Sequence, residues 1–232
     1  MKLSEWTAAV LCCAMDQEYE GIVRHFPTAR DFDGLGDVRA SLLSGRDGGP
    51  VLLCTGVGAN RARAGLQQLL QSVPRAGMVF SCGIAGILDR QYDIGDVIVS
   101  HTVWHRWGDE VHRLEACPAP LDRVCNALSH AIEPCGGNGR AAFGAVLTSD
   151  QPVADSLLAE RLHRLTGAAC VEMEAAGIAS LCRARSIPFL SVKIMSDFAD
   201  ENALWSMLRH QRRLTDRLGG FLRLLCEKSL LL

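Results

Sequence analysis

A chain of 232 residues with 48% hydrophobic content is long enough to bury a sizeable core in one domain and short for two. Lys+Arg 24 against Asp+Glu 26 leaves a formal net charge of -2, which argues against nucleic acid or an anionic membrane as the main partner and suits a small, nearly neutral ligand. The 10 cysteines, at 12, 13, 54, 82, 117, 125, 135, 170, 182 and 226, form no C-x2-C pair, so neither a zinc site nor a secreted disulfide framework is expected, and reduced thiols in a cytoplasmic protein fit better.

The start, Met1-Lys-Leu-Ser-Glu-Trp6, places an acid ahead of the first apolar run and shows no signal-peptide cleavage pattern. That run, residues 8–15 (AAVLCCAM), has the length of a buried strand and stops at Asp16, where a helix can begin. Residues 51–55 (VLLCT) repeat the form and lead through Gly56-Val-Gly58 into a helix over 59–70, with Ala62, Leu66, Leu69 and Leu70 on one face. A third strand, 77–82 (GMVFSC), is closed by what reads as a glycine-rich turn, Gly83-Ile-Ala-Gly86, and a fourth covers 97–99 after a turn at Gly95.

Residues 101–112 gather His101, Trp104, His105, Trp107 and His112, read as surface-to-core packing, with the wall of a ligand pocket as the alternative. Cys117-Pro-Ala-Pro120 and the loop Glu133-Pro-Cys-Gly-Gly-Asn-Gly139 follow. A helix is expected over 175–184, where Ala175, Ile178, Ala179 and Cys182 recur, then a strand over 188–195. The tail, 204–225, is an amphipathic helix with Arg209, Arg212, Arg213 and Arg217 on its polar side. No apolar stretch reaches the roughly 18 to 20 residues of a membrane span, and no repeat or linker divides residues 1–232. Apolar strands alternating with helices predict an α/β sandwich of three layers.

Open α/β sheets place their sites at the carboxyl ends of strands, which singles out Asp16 and Glu18, the Gly83–Gly86 turn, and Ser196-Asp197. Asp197, directly after an apolar strand, is either a partly desolvated proton donor or the N-cap of the tail helix. Glu18 is either a catalytic base or a first-turn acid that favours the helix dipole. Glu172 and Glu174 stand at i, i+2 between apolar segments, so as extended chain they point to one side at a buried boundary and need partners; the alternative is a solvated helix start. Backbone N–H groups of the 83–86 segment could face a ligand, but neither it nor Gly56-Val-Gly58 completes a nucleotide-cofactor fingerprint, and no cofactor is expected. The Trp/His cluster lacks a tight set of metal ligands.

Taken together, Ala14-Met-Asp-Gln-Glu18, Gly56-Val-Gly58, Ser81-Cys-Gly-Ile-Ala-Gly86 with Gly95-Asp96-Val97, Val171-Glu-Met-Glu174 and Ser196-Asp-Phe-Ala-Asp200 resemble the purine nucleoside phosphorylase and nucleosidase superfamily, and within it the 5'-methylthioadenosine/S-adenosylhomocysteine nucleosidases. The resemblance spans roughly residues 8–200. It implies a central mixed, partly barrel-like sheet wrapped by helices, a homo-oligomer with the dimer favoured, and cleavage of the bond between a purine and C1' of ribose. It gives Glu18 the place of the glutamate that orients or deprotonates the attacking water, and Asp197 that of the acid protonating N7 of the leaving base, supported by Ser196. Met173 and Glu174 match residues that hold the ribose, and Val153 would read adenine through its backbone.

The pattern departs from the family at Ile84, where nucleosidases carry a small hydroxyl residue beside Gly86, and at Pro152, where an aromatic residue stacks on the base. Lys193 stands where an arginine is common, a difference that matters if phosphate is the nucleophile. No arginine-bearing phosphate motif occurs near residues 16–24. The expected activity is hydrolysis of an adenosine-like, 5'-substituted nucleoside. The alternatives are phosphorolysis with phosphate as co-substrate, as in relatives acting on adenosylated hopanoids, and a nucleoside-binding module of weak turnover.

Overall fold

The structure, a computed structural model, describes residues 9–31, 35, 38–44, 49–73, 75–116 and 139–229. The segment Cys117–Pro120, most of the loop 133–139 and the N-terminal 1–6 lie outside the described residues. Strands β1 (Val10–Cys13), β4 (Val51–Cys54), β5 (Val79–Ile87) and β12 (Phe189–Asp197) form a parallel spine, with β1 between β4 and β5, and β5 paired to β12. Strand β3 (Arg39–Leu42) adds antiparallel to β4 and β2 (Arg30–Asp31) antiparallel to β3, which completes an open wing.

On the other side the sheet closes on itself. Strand β6 (Val97–Ser100) lies antiparallel to β12 and parallel to β9 (Ala141–Phe143), while β11 (Ala168–Glu172) lies antiparallel to β5 and parallel to β10 (Ala145–Ser149). Only Gly144 separates β9 from β10, and its N–H donates to Val99 O at 3.2 Å, so one bent segment joins β6 to β11. A Cβ there would stand 2.9 Å from that of Ala169, so a larger residue does not fit the bend. The mixed sheet is thus part barrel and part open wing, as the family resemblance implies.

Residues 83–86 are not a turn. Strand β5 runs through them because β12 pairs with it as far as Gly86 while β11 replaces β1 on its other edge, and between those two partners the Ile84 N–H is taken by the Glu18 side chain. The Trp/His-rich segment is a hairpin of β7 (Thr102–Trp107), paired to β10, and β8 (Glu110–Glu115). Trp107 is exposed, His105 Nε2 lies 3.3 Å from Asp150 Oδ1, and His112 Nε2 lies 3.1 Å from Glu110 Oε2.

Alternation along the strands separates two cores. Val10, Val79, Phe189 and Met195 face helices α2 (Ala59–Ser72) and α4 (Ala175–Ala184), which contribute Leu66, Leu69, Ile178 and Leu181. Leu11, Phe80, Leu190 and Ile194 face α1 (Asp16–Val23) and α5 (Ala203–Ser229), through Tyr19, Ile22, Leu218, Phe221 and Leu222. Each large apolar side chain fully buried this way stabilises the fold by about 1.5–3 kcal/mol. Helix α3 (Ser156–Thr166), N-capped by Asp155 through Leu158 N–H, covers a third cluster with Ala159 and Leu162. Arg209, Arg212 and Arg213 lie on the exposed side of α5, whereas Arg217 is half-buried and donates to Gly139 O at 2.9 Å.

The α2–α4 crossing depends on Gly177, where a Cβ would overlap the carbonyl of Ala59. Gly220 of α5 is different, because its nearest neighbour would be a His25 ring atom at 3.5 Å, an ordinary contact. Gly177→Ala is therefore expected to lower stability by about 1–3 kcal/mol by forcing the helices apart. Gly220→Ala is expected to raise it by up to about 1 kcal/mol through helix propensity. Urea unfolding midpoints of the two variants should move in opposite directions.

Candidate active site

A cavity of about 300 Å3 lies where the ends of β1, β5, β11 and β12 meet the first turn of α5. Of the residues singled out in the sequence it gathers Glu18, Ile84, Gly86, Val153, Met173, Glu174, Ser196 and Asp197, together with Glu172. Val57, Leu204 and Met207 add an apolar side, and Pro152 and Ala154 flank Val153. Asp16 is not part of it, being exposed and 3.7 Å from Arg39.

Glu18 is 2% exposed, and three backbone groups fix its carboxylate: Ala14 N–H at 2.9 Å and Met15 N–H at 3.0 Å reach Oε2, and Ile84 N–H at 2.8 Å reaches Oε1. It stands third in α1 and reaches back to the helix start, so the capping acid and the cavity acid are the same residue. Gly83 is required by this approach, since a Cβ there would sit 2.5 Å from Glu18 Oε1. Ile84 serves Glu18 through its backbone, a contact that needs no side-chain hydroxyl.

Asp197 ends β12 and does not cap α5, which begins six residues later at Ala203. Its Oδ1 accepts from Ala199 N–H at 2.9 Å and its Oδ2 from Ser196 Oγ at 2.6 Å. Burial pushes its carboxyl above the usual range, aided by the Asp200 charge and opposed by those two hydrogen bonds. Ser196 Oγ also lies 3.2 Å from Ala85 O. The hydroxyl can therefore donate to that carbonyl and accept from Asp197 when the acid carries a proton.

The two glutamates before α4 separate in role. Glu172 is the partnered one: Lys193 Nζ lies 2.8 Å from Oε2, Thr148 Oγ1 donates to Oε1 at 2.5 Å, and the N–H groups of Glu174 and Ala175 complete its shell. It satisfies orphan donors at the start of α4 and reads as the structural member. Glu174 turns instead to the loop after β4, where Gly58 N–H donates to Oε1 at 2.9 Å from a backbone with φ of 106°. Burial and the neighbouring Glu172 charge push its carboxyl up to about 7, against Lys193 and Gly58.

Lys193, considered above as a phosphate contact, is 2% exposed, locked to Glu172 and absent from the cavity wall. Burial alone would lower its proton affinity, but Glu172 and Glu174 raise it above the normal lysine range. The sequence reading missed Gly58 as a donor, Thr148, and the α5 residues Leu204 and Met207. A buried lysine inside an apolar strand was the available signal for the ion pair, because such a charge requires a partner. Among the described residues, no group of His, Cys, Asp and Glu is arranged to hold a metal ion.

Buried carboxylates in contrasting environments at strand ends of a mixed sheet define an α/β enzyme of acid–base type. The chain belongs to the phosphorylase superfamily, whose sequence pattern matches residues 8–226. It is an enzyme of the nucleosidase or nucleoside phosphorylase type. A 5'-methylthioadenosine/S-adenosylhomocysteine nucleosidase of Glaesserella parasuis serovar 5 is 32% identical over 162 residues, 66% of this chain and 69% of that protein. The same-named protein of Haemophilus ducreyi is 33% identical over 161 residues, 65% and 68% of the two chains. The fold matches that of the Neisseria meningitidis nucleosidase in complex with methylthio-immucillin-A, with TM-score 0.81 and 23% identity over 96% of this chain and 99% of that one.

Lys193→Met strands the Glu172 charge and is expected to cost about 3–5 kcal/mol in urea unfolding, part of which returns when Glu172→Gln is added. Glu174 also makes stability depend on pH. The folded state keeps its proton up to about 7 whereas the unfolded chain releases it near 4.5, so this group favours folding below 4.5 and that contribution is lost as pH rises toward 7. Unfolding free energies of Glu174→Gln and the parent protein should therefore shift in favour of the variant across that interval.

Proposed function

We propose that the chain hydrolyses the N-ribosidic bond of a purine nucleoside, an adenosine carrying an apolar 5' substituent, and releases adenine. One observation carries this reading: a single cavity holds a carboxylate fixed as a pure acceptor by three N–H groups, Glu18, and a carboxyl whose proton affinity is raised, Asp197. Glu18 orients the attacking water and takes its proton. Asp197 delivers a proton to N7 of the base, which removes the negative charge that would make a purine anion a poor leaving group.

Glu174 and Met173 hold the ribose, with Glu174 accepting from its hydroxyls. Carboxylates beside the sugar stabilise the positive charge that develops as the bond breaks, the logic of glycoside hydrolysis. Val153 meets the base through its backbone next to Pro152, and Val57, Leu204 and Met207 receive the 5' substituent. The likeness to 5'-methylthioadenosine/S-adenosylhomocysteine nucleosidases supports adenine as the base. The working assembly is taken as a homodimer, for which exposed Leu204, Trp205 and Leu208 beside the cavity offer an apolar face.

Water is favoured over phosphate by the charges around the cavity. Its wall carries Glu18, Glu172, Glu174 and Asp197 and, among the described residues, neither lysine nor arginine. A phosphate dianion would meet these carboxylates, and the Lys193 cation behind the wall is already paired with Glu172. Purified protein given 5'-methylthioadenosine should release adenine at the same rate with and without phosphate and yield the free sugar; a sugar 1-phosphate product would replace hydrolysis with phosphorolysis. Asp197→Asn and Glu18→Gln should each lower kcat by about 10²–10⁴-fold while the chain stays folded by circular dichroism.

A further inference from the structure

Two thiols end the strands that lead to Ala14 and Val57 of the cavity wall. Cys13, the last residue of β1, and Cys54, the last of β4, are register partners on adjacent parallel strands and face the same core layer. Each leans across the gap, Cys13 Sγ donating to Leu53 O at 3.5 Å and Cys54 Sγ donating to Ala14 O at 3.7 Å. Neighbouring strands stand about 4.8 Å apart, inside the window of roughly 4.4–6.8 Å that a disulfide spans between Cα atoms. Cys12, next in the chain, faces the opposite core and cannot take part.

The pair also sits at a junction. Cys13 leads into Ala14 and Met15, whose N–H groups hold Glu18, and Cys54 leads through Gly56 to Gly58, whose N–H holds Glu174. We propose that Cys13 and Cys54 form a disulfide on exposure to a peroxide, and that this bond switches the site off by displacing the two segments that hold Glu18 and Glu174. Drawing the sulfurs together to the about 2.05 Å of a disulfide moves both strand ends, and a displacement of about 1 Å at a reacting group can cost roughly 100-fold in rate.

The chemistry divides between a reachable and a buried thiol. Cys54 is half-buried, and the Cys13 thiol and the Gly56 backbone ease its deprotonation against the effect of burial. Its sulfur attacks the peroxide ROOH: an S–O bond forms, the O–O bond breaks, and ROH leaves with a proton, giving a sulfenic acid. Cys13, buried and with its thiol held protonated by desolvation, then attacks the Cys54 sulfur. The S–S bond forms, the S–O bond breaks, and the hydroxyl departs as water with the Cys13 proton. Two thiols are oxidised by two electrons, and the peroxide is reduced by the same two.

The bond requires no assumption about substrate, so linkage and displacement are read separately from turnover. Protein treated with hydrogen peroxide should yield a proteolytic fragment joining Cys13 to Cys54, assigned against Cys12 by fragmentation, absent from C54S and C13S and reversed by dithiothreitol. Hydrogen–deuterium exchange of residues 14–18 and 55–60 should speed up in the linked form. Adenine release from 5'-methylthioadenosine should fall about tenfold or more and recover on reduction, while C54S resists peroxide. Oxidation of Cys54 without linkage to Cys13, linkage through Cys12, or a linked protein with unchanged exchange would each overturn the proposal. Reduced protein that releases no adenine yet links and loosens would instead remove the proposed substrate and leave the thiol switch standing.

Discussion

The Glu172–Lys193 ion pair is the constraint around which the site is organised. Both side chains are almost wholly removed from water, at 1% and 2% exposure, so neither charge is tolerable without the other. Their contact ties the end of β11 to the middle of β12, on opposite sides of β5, across the inside of the closed part of the sheet. Glu172 then spends its remaining lone pairs on Thr148 and on the first N–H groups of α4, so the same carboxylate sets where that helix starts. Glu174 is left facing the cavity because its neighbour has taken the cation.

That division gives four acids different chemistry within one small volume. Glu18 is surrounded by donors, Asp197 is buried with a hydroxyl that can reverse its hydrogen bond, and Glu174 is pushed up by desolvation and by Glu172. The environments are supplied mostly by backbone: Ala14, Met15, Ile84, Gly58 and Ala199 N–H groups do what charged side chains do elsewhere. Departures such as Ile84 are therefore compatible with the arrangement, since the contact to Glu18 comes from the peptide. Positioning by backbone also makes the site sensitive to anything that moves strand ends, which is why the Cys13–Cys54 pair matters.

Much of the fold was readable along the chain. Continuous apolar runs marked β1, β4 and β12, and the spacing of Ala175, Ile178, Ala179 and Cys182 gave α4 its observed bounds, because burial on one face imposes the helical period. The misreading at Gly83-Ile-Ala-Gly86 has a clear cause. Glycine in a sequence signals a turn or a close approach equally well, and here the approaching groups, Glu18 at Gly83 and Asp197 at Gly86, come from distant segments. Lys193 was similarly opaque, since its partner is identified only by the sheet.

The sequence by itself determined the alternation of strands and helices, the placing of acids at strand ends, and the ordered motifs that carry the family likeness. It did so because these depend on local period and residue type. Only the tertiary structure decided which acid is paired, which accepts from three N–H groups and which has its proton affinity raised. Those properties depend on burial and on donors far along the chain, 66 residues from Glu18 in the case of Ile84 and 116 from Glu174 in the case of Gly58. A carboxylate's chemistry is set by its surroundings, and folding brings those surroundings together.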